Sequence, residues 1–450
     1  MVRQYNQTVS FPRDWTMYSI GEAANYRRGS FPQPYGLPEW YNESGGMPFV
    51  QVFDVDDNML LKSQTKQHIS EIAKQWSVYV PRGSIVLTIQ GSIGRIALTQ
   101  YDSYVDRTLL VFTSFNIPVD KRYFMYAVYQ VFHSEKESAP GGIIKTITKK
   151  HLTEFEVAVP PLSEQRAIAN ALSDVDAYIA VLEKLIDKKR LIKQGAMQEL
   201  LTGKRRLPGF SGDWVETTIG EIFIYQNGRS MEHLFSKNGK YKVISIGNYS
   251  TDGKYIDNGT RIDECHCNEV SKYIPNIGDF TMILNDKTST GEIIGRVLLI
   301  DKSDMYVINQ RTLRLVLRDS RCNIFFYYLL NSFVIRNQIM FAVKPGTQIY
   351  INTPDVLNIS LLFPSDKAEQ TAIAEVLSDM DAEIDVLTEK LNKAKHIKQG
   401  MMSELLTGRI RLVEQEPVTD TVSTPKIVSY PFPTADQLLR VAEEPHKGGY

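Results

Sequence analysis

Residues 164–207 read EQRAIANALSDVDAYIAVLEKLIDKKRLIKQGAMQELLTGKRRL, and residues 369–412 read EQTAIAEVLSDMDAEIDVLTEKLNKAKHIKQGMMSELLTGRIRL. The two stretches align without a gap and agree at about 26 of 44 positions, far above chance, so the chain carries a long internal repeat. Both copies read as helices. Ile168, Leu172, Val175, Ile179, Leu182 and Ile186 alternate spacings of four and three, and Ile373, Leu377, Met380, Ile384, Leu387 and Leu391 do the same. Further on, a spacing of four continues through Ile192, Ala196 and Leu200, and through Ile397, Met401 and Leu405. Pro160 and Pro161 form the run-in to the first helix with Ser163 as the expected N-cap, and Gly203 and Gly408 suit the C-terminal stops.

A helix over 163–201 is ~58 Å long at 1.5 Å per residue, and its apolar stripe needs a cover. The second copy offers that cover. Because a globular segment precedes each copy, pseudo-twofold symmetry predicts antiparallel pairing, with the two segments at opposite ends; the alternative is that each helix packs on its own domain.

The globular segments also correspond. Phe11-x-x-Asp14-Trp15 and Ile20-Gly21-Glu22 match Phe210-x-x-Asp213-Trp214 and Ile219-Gly220-Glu221. Deeper in, Gly91-Ser92-Ile93-Gly94-Arg95 matches Gly291-Glu292-Ile293-Ile294-Gly295-Arg296. Short β-rich runs such as 84–89, 296–300 and 313–317 dominate, and a helix is expected near 122–134 and 323–341. The fold class is therefore α+β: two tandem α/β domains with twisted mixed sheets, at 1–159 and 208–363. Two long helices, 160–207 and 364–412, join them as an antiparallel coiled-coil spacer, and a tail follows at 413–450.

Composition limits the function. With 43% hydrophobic residues, a net charge of −1 and three cysteines in 450 residues, the chain is an ordinary globular one for a reducing compartment, expected in the cytoplasm. The N-terminus lacks a signal-peptide core, and no stretch is apolar enough to span a bilayer. Cys265-His266-Cys267 lacks the second ligand pair a zinc site needs, so no metal is expected. There is no G-x-x-x-x-G-K-[ST] loop, no glycine-rich cofactor loop with Asn-Pro-Pro-aromatic, no H-E-x-x-H and no G-x-S-x-G. No catalytic residue is expected in this chain.

The order variable domain, spacer helix, variable domain, spacer helix resembles the specificity subunits of type I restriction-modification enzymes. The resemblance covers about residues 10–412. It rests on Pro160-Pro161-Leu162-x-Glu164-Gln165-x-Ala167-Ile168, on the Ile-Lys-Gln-Gly-x-Met-x-Glu-Leu-Leu-Thr-Gly ending, on Asp-Trp and on the glycine turn. It implies two target recognition domains that each read half of a split double-stranded DNA site. It also implies helices that set the spacer and dock two adenine-N6 methyltransferase subunits, with restriction subunits completing the complex. S-adenosylmethionine, ATP and Mg would belong to those partners and none to this chain. The second run-in, Phe363-Pro364-Ser365-Asp366-Lys367, departs from the first, and the 413–450 tail has no counterpart. A coiled-coil assembly scaffold that reads no sequence is the competing expectation.

Base reading favours side chains that donate to or bridge purine edges. The candidates in the first domain are Arg27, Arg28, Gln90, Ser92, Arg95 and Arg107. In the second they are Arg229, Asn285, Lys287, Arg296, Asn309, Gln310 and Arg311. Glycines 91, 94, 291 and 295 could admit a phosphate close to the backbone. The spacer and partner-binding candidates are Gln165, Ile168, Leu172, Ile179 and Leu182, with Gln370, Ile373, Leu377, Ile384 and Leu387 in the second helix. Basic residues late in both helices, among them Lys193, Arg206, Lys398 and Arg411, suit a solvated face, the helix dipole or the DNA backbone.

Overall fold

The computed structural model describes residues 11–138, 149–287, 290–344 and 348–412, so the 413–450 tail lies outside the described residues. Two compact units emerge: 11–183 with 389–412, and 184–388. The two long helices, Leu162–Leu200 and Lys367–Leu405, are 39 residues each. Each gives its first half to one unit and its second half to the other.

Helix pairing is antiparallel within each unit. In the first unit Asp176 pairs with Lys398 at 2.6 Å and Glu183 with Lys395 at 2.8 Å. In the second, Lys189 pairs with Glu383 and Lys193 with Asp381, both at 2.6 Å. Positions rise on one helix as they fall on the other. The apolar stripe is buried as its spacing predicts: Ile168, Leu172, Ile179, Leu182, Ile373, Leu377, Ile384 and Leu387 all lie inside. Its expected extension through Ile192 is not observed, because that side chain is 47% exposed. Lys193 takes the seam instead, where the opposite carboxylate meets its ammonium.

The helix starts differ in chemistry. The first begins at Leu162, with the Gln165 N–H donating to the Pro161 carbonyl at 3.0 Å, so Ser163 lies inside the first turn rather than at the cap. The second is capped by Asp366, whose carboxylate accepts the Ala368 N–H at 2.8 Å. That cap accounts for the departure from Pro-Pro in the second run-in. Both helices end as expected, with Gly203 and Gly408 at φ 70°.

Past each stop, the chain closes on itself. Glu164 and Glu369 have no exposed surface. The Arg411 guanidinium donates to both Glu164 oxygens at 2.6 and 2.7 Å and to Asp14 at 2.7 Å, and it lies over the Trp15 ring. The Trp15 indole donates to the same Glu164 carboxylate at 3.1 Å. The second unit repeats the Glu–Arg–Trp core of the clasp: Arg206 donates to both Glu369 oxygens and lies over Trp214. It reaches the Gly212 carbonyl at 3.0 Å where Arg411 reaches Asp14, and the Trp214 indole N–H has no hydrogen-bond partner among the described residues. Gly203 and Gly408 leave room for these indoles, since a Cβ on either would sit 3.3 Å from the Trp214 or Trp15 ring. The Asp-Trp motif, the glutamate that opens each repeat and the arginine that follows it thus form one structure.

The domain sheets share a topology. In the first unit an antiparallel sheet orders Ala24–Arg28, Leu109–Phe115, Ile85–Thr88 and Ile96–Leu98; the second unit orders Phe223–Asn227, Thr312–Leu317, Phe280–Ile283 and Val297–Leu299. Each unit adds a mixed sheet with one parallel pair, Met47–Val50 beside Ser103–Val105 and Tyr241–Ile244 beside Tyr306–Ile308. The expected mixed sheet is therefore two four-stranded sheets per domain, of which only one is mixed, beside smaller two-stranded pairs such as Thr16–Ser19 with Glu156–Val159 and Trp214–Thr218 with Ser360–Pro364. Edge strands differ: Val78–Val80 extends one side in the first unit, and Phe235–Ser236 the other side in the second. Fully buried Ile20 and Ile219 open the short helices Ile20–Ala23 and Ile219–Ile222, whose Glu22 and Glu221 accept the Ser19 and Thr218 N–H groups.

The helix expected over 122–134 is observed as Lys121–Ser138, but that over 323–341 is broken into Asn323–Leu330 and Phe333–Ala342. Asn331 makes the break by bonding the Val297 N–H and carbonyl at 3.1 and 2.9 Å, and Ser332 caps the next helix.

The clasp yields a stability prediction. Glu164→Ala leaves the partly buried Arg411 guanidinium with only the half-exposed Asp14 carboxylate and should cost about 3 kcal/mol in urea unfolding. Glu164→Ala with Arg411→Met should recover part of that loss, and strict additivity of the two would contradict the clasp.

Candidate nucleic-acid interface

The strand registers bring the candidate residues of each unit to one end of its antiparallel sheet. In the first unit, Ala24–Arg28 and Ile85–Thr88 end where Leu109–Phe115 and Ile96–Leu98 begin, because Arg28 faces Leu110, Thr88 faces Leu109 and Leu87 faces Ile96. Arg27, Arg28, Gln90, Ser92, Arg95 and Arg107 all lie at that end. In the second unit, Asn227 faces Leu313 and Ile283 faces Thr312, which places Arg229, Asn285, Lys287, Arg296 and Asn309, Gln310 and Arg311 at the equivalent end. Residues scattered over eighty positions of sequence become two compact groups.

Within the first group, Arg27, Arg28 and Arg107 are exposed. The Arg28 guanidinium donates to the Arg107 carbonyl, and Arg107 lies 5.5 Å from the centre of the Tyr35 ring. The Ile89 N–H donates to the Thr108 carbonyl at 2.9 Å, setting Gln90 beside the 106–108 turn. Exposed Ser92 sits on the glycine turn, where its carbonyl accepts the Thr88 hydroxyl. Arg95 is committed within the protein: its Nε is 2.7 Å from Asp57, and its Nη1 donates to the Val55 carbonyl at 3.3 Å.

In the second group, Arg229, Lys287, Gln310 and Arg311 are exposed, and Arg311 holds a left-handed φ of 64°. Asn309 is buried instead: its side-chain Oδ1 accepts the Met231 N–H at 3.0 Å and its Nδ2 donates to Glu232 at 2.8 Å. It shapes the edge rather than facing outward. Asn285 is half-buried, with its Oδ1 sealed and unbonded among the described residues. Arg296 turns inward and donates to the Asn331 carbonyl at 3.3 Å. The shared glycine turn therefore holds its two arginines in different ways.

The glycines divide similarly. Gly91 is exposed at φ 73°, whereas Gly291 and Gly295 are buried, and a Cβ on Gly295 would lie 2.3 Å from Ile339. The second pair is small to admit the helix Phe333–Ala342, not a phosphate. Gln165 and Gln370 are buried as well. Gln165 accepts the Asp120 N–H and donates to the Pro160 carbonyl, both at 2.8 Å, and Gln370 makes the matching bonds to Cys322 and Pro364 at 3.3 and 2.9 Å. They anchor each helix to its own domain, so both packing modes expected of the helices occur together. The late basic residues Lys193, Arg206, Lys398 and Arg411 are likewise spent on carboxylates of the opposite helix.

Sequence reasoning missed Tyr35 and Glu232. Tyr35 supports Arg107 and accepts a hydrogen bond from Gln51; burial pushes its phenol up to about 12. Glu232 accepts from both Asn309 and Gln310, at 2.8 and 2.7 Å. Neither has a local sequence signal, since Glu232 acts on residues 77 and 78 positions away.

Comparison with known proteins decides the family. The model of the type I restriction modification DNA specificity domain matches twice, at residues 12–189 and 211–396. The chain belongs to this family. Each match spans one globular domain and runs into the long helix that follows it. The MjaVIII specificity subunit of a type I restriction enzyme from Methanocaldococcus jannaschii is 25% identical over 425 residues, covering 89% of this chain and 94% of the relative. The EcoBI specificity subunit from Escherichia coli is 21% identical over 447 residues, covering 90% and 88%. The crystal structure of the type I restriction-modification S subunit from M. genitalium shares the fold, with TM-score 0.56, 17% identity and coverage of 90% of this chain and 99% of that one.

The Glu232 clamp gives the specificity domain a pH signature. Bonds from Ser230 first, then Asn309 and Gln310, hold its carboxyl down to about 2. A carboxyl depressed on folding contributes above its unfolded value and loses that contribution as pH falls through the folded one. The clamp is thus intact above about pH 5 and opens between about pH 4 and pH 2. Carboxyl NMR should place the Glu232 midpoint near 2, and a midpoint at the ordinary glutamate value would contradict the clamp.

Proposed function

We propose that this chain is the DNA sequence-recognition subunit of a type I restriction-modification complex, each domain reading one half of an asymmetric, bipartite duplex site. One observation carries the reading: two domains whose antiparallel sheets share one strand order present different side chains at the same end of that sheet. Arg27, Arg28, Gln90, Ser92 and Arg107 face outward or to the rim in one, and Arg229, Lys287, Gln310 and Arg311 in the other. Arginine, glutamine and lysine at such an edge suit purine recognition in the major groove. Arg95, Asn285, Arg296 and Asn309 serve by shaping the edge.

The paired helices act as the spacer, and they dock two adenine-N6 methyltransferase subunits. The stripe residues are consumed inside this chain, so docking uses the outer helix faces. S-adenosylmethionine, ATP and Mg act in the methyltransferase and restriction subunits, where catalysis resides, and the complex works in the cytoplasm. Among the described residues no helix is long and apolar enough to cross a membrane.

Two experiments on the assembled methyltransferase test this. Exchanging residues 84–107 for those of a related first domain should change one half-site and leave the other intact; a change in both, or in neither, contradicts the assignment. Inserting one helical turn into the middle of both long helices keeps every ion pair in each unit and should lengthen the preferred gap by about one or two base pairs. An unchanged gap would exclude the spacer role.

A further inference from the structure

The second unit contains a cleft of about 710 Å³ bounded by the long helices, the 251–254 turn and the helices Asn323–Leu330 and Phe333–Ala342. Its cations are Arg190, Lys193, Lys254, Arg296 and Arg336. Lys193 is matched by Asp381 at 2.6 Å, Lys254 by Asp385 and Arg190 by Asp187 at 3.8 Å. Arg296 and Arg336 are different. Among the described residues, neither guanidinium has a carboxylate within ion-pair reach, and each rests only on backbone carbonyls, of Asn331 in one case and of Gly291 and Glu292 in the other. Arg296 Nε and Arg336 Nη1 are sealed from water with no hydrogen-bond partner. Burial, and then the Arg296 charge, push Arg336 down to about 10, which reports two like charges brought together out of water.

Two desolvated cations with no carboxylate in ion-pair contact, only Asp252 acting on Arg296 and Asp286 on Arg336 from further away, are unfavourable, and the unfavourable term is relieved by an anion bound between them. The first unit removes the problem internally. At its matching turn Arg95 is met by Asp57 at 2.7 Å, and the corresponding cleft, also about 710 Å³, is lined by Asp56, Asp57, Asp176 and Glu183 against Lys395 and Lys398. Two clefts of equal size and opposite electrostatic balance cannot hold the same ligand.

We infer that the cleft of the second unit is a binding site for a phosphate ester of nucleotide size, with the phosphate held between Arg296 and Arg336. Guanidinium forks match phosphate oxygens, and the cleft volume is that of a small-molecule site. Met197, Tyr327, Phe333 and Met340 supply an apolar wall for the body of the ester. The same phosphate chemistry is available from a free nucleotide or from a DNA backbone.

The test is thermal unfolding of the full chain with inorganic phosphate or adenosine monophosphate, against sodium chloride at matched ionic strength. Phosphate at about 10 mM should raise the midpoint by a few degrees, and the nucleotide by more. Arg336→Met should abolish the rise. Because Arg336 also holds the Gly291 carbonyl, Phe333→Glu provides a second variant: Phe333 is 57% exposed, and a carboxylate there supplies the missing charge. F333E should unfold no earlier than the parent in plain buffer and should not respond to phosphate. Arg95→Met, in the other unit, should keep the full response. Displacement of the nucleotide by duplex DNA would identify the backbone as the source, and retention would identify a free phosphate ester. No rise above the chloride control, or a rise that persists in both R336M and F333E, overturns the site.

Discussion

A carboxylate buried at the opening of each long helix has to be met by a cation, and the chain supplies that cation from beyond the end of the opposite helix. Glu164 with Arg411 and Glu369 with Arg206 are the same contact made twice. A buried pair of this kind is weak as a source of net stability but strict about geometry, because removing either member strands the other. Each clasp gathers the start of a domain, the start of one helix and the end of the other. Neither unit is complete until both repeats have been made, and the antiparallel direction of the helices follows from that requirement.

The frame so fixed leaves the domain edges free to diverge. Sheet order and the glycine turn are kept, while the side chains at the common end differ. The paired turn arginines illustrate this: Arg95 is neutralised by Asp57, and Arg296 is drawn inward toward Asn331. The helices meet equivalent constraints in both units and so remain alike, down to the Asp176–Lys398 and Asp381–Lys193 pairs. For a subunit of this family, a constant frame with variable edges separates assembly from recognition.

Much of the frame was legible in the sequence because it is local or repeated. The helical stripe, the stops at Gly203 and Gly408 and the two tandem domains rest on spacing and on duplication. The clasp was visible only as unexplained motifs, Asp-Trp and the glutamate at position 164, since its partners lie up to 397 positions apart. Where the structure departs from expectation, long-range contacts are the cause. Ile192 is displaced from the seam by Lys193, whose partner is 188 positions away. The helix after 323 breaks because Asn331 bonds Val297, and Asn309 is buried because Glu232 and Met231 claim its amide. At the candidate edge the residue types were readable, but the side chains that face outward depend on such partners.

On the proposed function, two domains with unlike edges read two unlike half-sites. Mapping N6-methyladenine across the genome of a host that expresses this chain with its methyltransferase tests it most directly. The expected result is one asymmetric motif made of two short specified blocks separated by a gap of fixed length and no sequence preference. A palindromic motif, an uninterrupted one, or methylation that does not depend on this chain would contradict it.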